Sequence, residues 1–214
     1  MTKLILIRHG QSEANFCRIY TGQSDIPLTD LGRMQAATAA RYIKENESIS
    51  AVYASPLIRA FETGRIVAEE NAVPIYPCEG LMEINAGAWE GKRFDELEML
   101  YPENYGTWRH DIGRCRPDGG ESVAELFERC LGAVEKIILD NPDRTVVLAT
   151  HATPIRALSG YWSGLAIENL RDIPWSANAS LTHIFYERSK GYYGFKTNIC
   201  EHLKGIETKL PDNV

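Results

Sequence analysis

The sequence predicts an α/β protein built on a mostly parallel central sheet, and three features carry that prediction. Two short runs, Leu4-Ile5-Leu6-Ile7 and Val146-Val147-Leu148-Ala149, are continuously apolar, as strands covered on both faces of a sheet must be. Segments with helical character alternate with such runs, the pattern of β-α-β units. Each run leads into a histidine, His9 or His151, and the carboxyl ends of parallel strands are where open α/β sheets bind ligands. The first run continues into Arg8-His9-Gly10. That triplet offers a cation shaped for phosphate, a possible nucleophile and a backbone free to approach a ligand.

The other elements follow in order. Residues 16–28 read as a loop, with Gly22, Asp25 and Pro27 as turn residues. Thr29 caps a helix to about 46, whose Ala36, Ala37, Ala39 and Ala40 have high helix propensity. Ala51-Val52-Tyr53-Ala54 is a second strand, and Ser55-Pro56 reads as a cap with proline at the first position of a helix to about 71. Residues 73–78 give a third strand, 79–91 an irregular stretch, and 93–100 a short helix ended by Tyr101-Pro102. Residues 103–121, polar and aromatic, follow no period that explains them.

Ser122-Val123-Ala124-Glu125 is a capping box, and the helix it opens runs to about 140 with Val123, Leu126, Phe127, Leu131, Val134, Ile137 and Ile138 on one face. After the strand 145–150, Pro154 starts a helix to about 162. Residues 180–187 and 192–200 form a final hairpin through Ser189-Lys190-Gly191, and from about 205 the chain reads as a polar tail. With no repeat, low-complexity tract or linker, residues 1–214 are read as one domain.

Composition excludes several classes. A net charge of −6 argues against a nucleic-acid partner. No apolar run approaches the roughly 20 residues of a membrane span, and the apolar start is too short for a signal-peptide core. No membrane partner and a cytoplasmic location are therefore expected. The cysteines Cys17, Cys78, Cys115, Cys130 and Cys200 are odd in number and scattered, which speaks for reduced thiols rather than a disulfide framework or zinc site.

Either histidine alone would be read as an ordinary loop residue. What joins them is company: Arg8 precedes one, and Arg59 lies in the first turn after the second strand. If the two strands are neighbours, both imidazoles and both arginines converge, and paired guanidinium forks suit a phosphoryl dianion. The arginines would repel a divalent cation, and no carboxylate sits at ligand spacing beside either histidine, so no metal site and no cofactor are expected.

Arg8-His9-Gly10 with Glu13 and Asn15, then Thr21-Gly22 and Asp25-Ile26-Pro27-Leu28-Thr29-Asp30-Leu31-Gly32, resembles the histidine phosphatase superfamily, also called phosphoglycerate mutase-like. Ser55-Pro56-Leu57-Ile58-Arg59-Ala60 resembles its second arginine motif, and Leu81-Met82-Glu83-Ile84 with Gly87-Ala88-Trp89-Glu90-Gly91 its acid-bearing loop. Gly119-Gly120-Glu121-Ser122 and Thr150-His151 complete the order, which is similar to that of the α-ribazole phosphatase and broad-specificity phosphatase branch. The resemblance implies a three-layer α/β/α fold and a phosphohistidine intermediate on His9. It implies that Arg8, Arg59 and His151 bind the phosphoryl group, helped by Asn15, Thr21 and Gly22, and that Glu83 is the general acid. Spacing alone leaves Glu79, Glu83 and Glu90 equally available for that role; Glu13 is expected only in support. Where the family often has two glycines after the second histidine, this chain has Ala152 and Thr153. Alanine keeps an N–H that can face the phosphate, and Thr153 is expected to cap the following helix.

The resemblance covers phosphatases and cofactor-dependent mutases. Mutases usually carry an arginine and a tyrosine after the acid glutamate, where this chain has Ile84, Asn85 and Ala86, and a paired arginine that Arg114 and Arg116 only approach. The expected activity is therefore hydrolysis of a small phosphorylated metabolite, with phosphoglycerate mutase as the alternative, favoured by Thr21-Gly22. A phosphate-binding protein without activity comes last. Specificity is expected in residues 103–119, where Tyr105, Trp108, Arg109, His110, Arg114 and Arg116 mix rings with positive charge and could hold an acidic phosphoester. Aromatic residues of the final hairpin permit a monomer or a homodimer.

Overall fold

A computed structural model describes residues 1–208. Six strands, β1 (Thr2–Arg8), β2 (Ala51–Ala54), β3 (Ile75–Pro77), β4 (Thr145–Thr150), β5 (Leu181–Glu187) and β6 (Gly191–Ile199), form one sheet in the order β3-β2-β4-β1-β5-β6. The pairs β3-β2, β2-β4 and β4-β1 are parallel; β5 runs antiparallel to β1, and β6 to β5. The sheet is thus mixed: parallel from the β3 edge to β1, antiparallel from β1 to the β6 edge.

Helices α1 (Glu13–Cys17), α2 (Asp30–Asn46), α3 (Ile58–Asn71), α4 (Phe94–Leu100), α5 (Pro102–His110), α6 (Val123–Asp140) and α7 (Ala152–Trp162) surround it. Side chains alternate along β1, so Ile5 and Ile7 join Ala39, Ala40 and Ile43 of α2 and Val67 of α3 on one face. Leu4 and Leu6 face the other way, into a cluster with Leu97, Trp108, Leu126, Val134 and Ile155 from α4, α5, α6 and α7. The result is the three-layer α/β/α arrangement, and the continuous apolar runs are explained: Leu4 to Ile7 and Val146 to Ala149 are all inaccessible to solvent.

Thr29 caps α2 through the Gly32 N–H, and Ser122 and Glu125 form the expected capping box of α6. Four local readings change. Ser12 and Asn15 build a capping box that turns residues 13–17 into α1, where the sequence reads as motif and then loop. Ser55 does not cap α3; the helix starts at Ile58, whose N–H donates to Asp25 Oδ1 at 2.6 Å, a carboxylate supplied from another loop. Pro102, read as a terminator, is instead the first residue of α5. Helix α7 starts at Ala152, with Pro154 inside its first turn, where no intrahelical N–H bond is lost, and Thr153 is a helical residue rather than the cap.

Strand β3 is shorter than expected, as befits an edge strand that runs into Pro77. All five cysteines are free. Residues 206 and 208 are held to α2 by Gln35, which donates to the Ile206 carbonyl and the Thr208 hydroxyl, so the expected tail is tied down there; 209–214 lie outside the described residues. No described helix is long and apolar enough to cross a membrane.

Candidate active site

Parallel pairing of β1 with β4 sets Arg8 opposite Thr150, so His9 and His151 leave the sheet side by side. Their ring centroids are 5.2 Å apart at an interplanar angle of 63°. Gly10 is required next because a Cβ there would lie 2.2 Å from the Gly32 carbonyl oxygen. His9 Nδ1 is 2.7 Å from the Gly10 carbonyl oxygen. A carbonyl only accepts, so Nδ1 carries the proton and the ring's lone pair lies on Nε2. Burial, then Arg59 and Arg8, hold the His9 pKa well below its ordinary value.

His151 is fully buried; its Nε2 is 2.8 Å from Ser55 Oγ, and its Nδ1 has no protein partner. Its pKa is also held well down, by burial first and then by Arg59. Each arginine is aimed by backbone carbonyls. Arg8 Nη1 donates to Ser176 O at 2.5 Å, while its Nε is buried without a partner. Arg59 donates from Nη1 to Ser24 O at 2.9 Å and from Nη2 to Gly22 O at 2.7 Å. Burial lowers both guanidiniums, Arg8 to about 10.

Glu83 is buried. Its Oε1 accepts from the Ile84 N–H at 2.9 Å and its Oε2 from the Thr153 N–H at 3.4 Å, yet burial dominates and raises its pKa. Of the three carboxylates that spacing left open, Glu83 alone lines the same cavity as His9. Glu79 lies in a different turn of the loop, and Glu90 faces the backbone. It accepts from the N–H groups of Gly22, Gln23, Ser24 and Ala86 and from Ser24 Oγ, fixing the loop whose carbonyls hold Arg59.

A cavity of about 50 Å³ opens on these groups, lined by Arg8, His9, Asn15, Thr21, Arg59, Glu83, Ala152 and Thr153, and by Ile19 with the aromatic side chains of Tyr20, Phe94, Trp108 and Trp175. Asn15 Oδ1 accepts from Ser12 N–H and Asn178 Nδ2, both at 3.1 Å, which turns its amide nitrogen to other uses. Gly22, expected on the substrate, is not in the lining; its N–H is on Glu90 and its carbonyl on Arg59. Of the segment 103–119, only Trp108 reaches the cavity. Arg109, Arg114 and Arg116 pair with Glu98, Asp111 and Glu125 instead, so the positive charge expected over the mouth is spent elsewhere.

Several functional contacts have no local signal. Arg129 of α6 donates to the carbonyls of Gly80, Met82 and Glu83 at 3.1, 2.8 and 2.9 Å, and holds Glu121 at 2.6 and 2.8 Å. The acid loop is therefore clamped by a side chain 46 to 49 residues away. Sequence spacing points the other way, to an i,i+4 pair with Glu125, which in fact binds Arg116. Ser55, read in sequence as a helix cap, instead meets His151, and Ser176, which carries no sequence signal, holds Arg8. Among the described residues no three His, Cys, Asp or Glu side chains gather as a ligand set.

Compared with known proteins, the chain matches the model of the histidine phosphatase superfamily (branch 1) over residues 4–195. Phosphoserine phosphatase 1 of Hydrogenobacter thermophilus is 32% identical over 206 residues, 95% of each chain. A glucosyl-3-phosphoglycerate phosphatase of Mycolicibacterium vanbaalenii is 32% identical over 185 residues, 83% of this chain and 81% of its own. The solved structure of Bacillus stearothermophilus YhfR superposes with a TM-score of 0.87 at 30% identity, covering 95% of this chain and all of the other.

Proposed function

The chain belongs to the histidine phosphatase superfamily, branch 1, and is a phosphomonoesterase of a small phosphorylated metabolite; we propose that it works through a phosphohistidine on His9. The observation that carries this route is the His9 ring itself. With Nδ1 bonded to the Gly10 carbonyl and protonation disfavoured by burial and two guanidiniums, Nε2 is an unprotonated nucleophile facing a cavity with arginine walls.

In the first step His9 Nε2 attacks phosphorus, the ester P–O bond breaks, and the Glu83 carboxyl proton goes to the departing alkoxide. In the second, the Glu83 carboxylate takes a proton from water, the water oxygen attacks phosphorus, and the P–N bond breaks to release phosphate. A raised Glu83 pKa keeps the required proton available, and the negative charge of a bound phosphate raises it further. Arg8, Arg59, the His151 Nδ1 proton, the Asn15 amide and the N–H at Ala152 offset the charge on the equatorial oxygens. Thr21 lines the same cavity, whereas Gly22 acts through Arg59. Two guanidiniums supply the charge that a divalent cation would otherwise bring, so no step needs a metal. The reading includes a cytoplasmic protein, monomeric or homodimeric, checked by fractionation and light scattering.

The test is turnover of p-nitrophenyl phosphate by wild type and His9→Ala, with a denaturing quench at alkaline pH of a reaction on a ³²P-labelled substrate. Wild type should turn over and carry an acid-labile, base-stable label, and His9→Ala should do neither. Equal turnover by both would overturn the route. Faster conversion of 3-phosphoglycerate to 2-phosphoglycerate than to free phosphate, in the presence of 2,3-bisphosphoglycerate, would make the protein a mutase.

A further inference from the structure

Besides the polar groups, the cavity is lined by Ile19, Tyr20, Phe94, Trp108 and Trp175, and by Thr21 beside them. None of the six carries a charge; the charged lining residues are Arg8, Arg59 and Glu83. The rings hold one another in place. Tyr20 stands edge-on to Trp89, Phe94 and Trp108 at 5.5, 5.8 and 5.5 Å, and Trp108 stacks on Trp175 at 5.8 Å and 28°. The Arg156 guanidinium lies 4.2 Å from the Trp175 ring, with its Nε and Nη2 on the carbonyls of Leu170 and Arg171.

From this wall we propose that the alcohol half of the substrate is an uncharged aromatic or apolar group seated against Trp175 and Trp108. The proposal rests on the phosphatase reading and adds the substrate class. A carboxylate on the alcohol, as in a phosphorylated hydroxy acid or amino acid, would leave water at this wall among uncharged lining side chains, since Arg156 lies against the Trp175 ring and does not line the cavity. An ammonium would sit in the field of Arg8, Arg59 and Arg156. A flat ring instead meets indoles already fixed in position, so little side-chain freedom is lost on binding.

The experiment compares kcat/KM of the full chain on phosphate esters of primary alcohols, so that leaving-group chemistry is similar: benzyl phosphate, O-phosphoserine, O-phosphoethanolamine and 3-phosphoglycerate. Benzyl phosphate should lead by about ten-fold, roughly the effect of one well-packed aromatic contact. Trp175→Ala should raise KM for benzyl phosphate more than it lowers kcat and should narrow its lead, and Trp175→Phe should restore most of that lead. Equal or better kcat/KM on O-phosphoserine or 3-phosphoglycerate would overturn the proposal, as would a lead by O-phosphoethanolamine. So would Trp175 variants that slow all four esters alike. Absence of turnover on these and on p-nitrophenyl phosphate would sink the phosphatase reading and this one together.

Discussion

Replacing Arg129 by alanine tests whether the acid loop is held from α6. The side chain makes three bonds to loop carbonyls and a two-pronged contact with Glu121, and the pair is only 25% and 15% exposed. Removing one member of a fully buried ion pair costs about 3–5 kcal/mol, because the other charge is left unpaired. Partial exposure lets water replace some of these contacts, so about 2–4 kcal/mol is expected here. For a chain of this length that lowers Tm by roughly 5–15 °C.

The catalytic effect is separate. A drift of Glu83 by about 1 Å costs on the order of 100-fold when its proton is needed. An alkyl phosphate should therefore lose about that much in kcat in Arg129→Ala, whereas p-nitrophenyl phosphate, whose phenolate departs without a proton, should lose only a few-fold. Arg129→Met combined with Glu121→Met should recover part of the Tm but not the alkyl-ester kcat. An unchanged Tm, or equal losses on both substrates, would refute the clamp.

Glu83→Gln should lower alkyl-ester kcat by about 10²–10⁴-fold and abolish the alkaline limb of its pH profile, since that limb is deprotonation of a carboxyl whose pKa burial has raised; an alkaline limb that survives would assign it to another group. Gly22→Ala brings a Cβ to 2.1 Å from the Ile84 carbonyl oxygen, so the loop must shift, with a stability loss of about 1–3 kcal/mol and weaker phosphate inhibition as Arg59 loses its guide; chemical denaturation and product-inhibition constants measure both. Stability should also fall as pH drops below the ordinary histidine value of 6.5, because the unfolded chain then binds protons that buried His9 and His151 refuse. Glu83 acts in the opposite sense, its raised pKa favouring the folded state at low pH and losing that contribution as pH rises. A Tm profile that keeps the same acid slope after His9→Asn and His151→Asn would refute the histidine assignment.

What the chain determines by itself is local. Apolar runs without a polar break define β1 and β4, and Thr29 and Ser122 mark where α2 and α6 begin, because a cap reaches only two or three residues along the backbone. The identities at the strand ends were readable for the same reason: Arg8, His9 and His151 sit where a buried strand must stop. Short helices were not readable in this way. Helix α1 depends on Asn15 turning back to Ser12 within a motif rich in polar residues, and α5 on a proline that also serves as a terminator.

Tertiary structure alone decided which groups face one another. Arg8 is aimed by Ser176 from 168 residues away, His151 is held by Ser55 from 96, and Arg129 grips Gly80 from 49. These contacts follow from strand order and from helices packed across the sheet, and no pattern of neighbouring residues encodes them. The same holds for the cavity wall, where Trp108 and Trp175 meet while Arg109, Arg114 and Arg116 turn to carboxylates of their own. A charge in sequence reports only that it must be solvated or paired; which partner it takes is fixed when the fold brings one within reach.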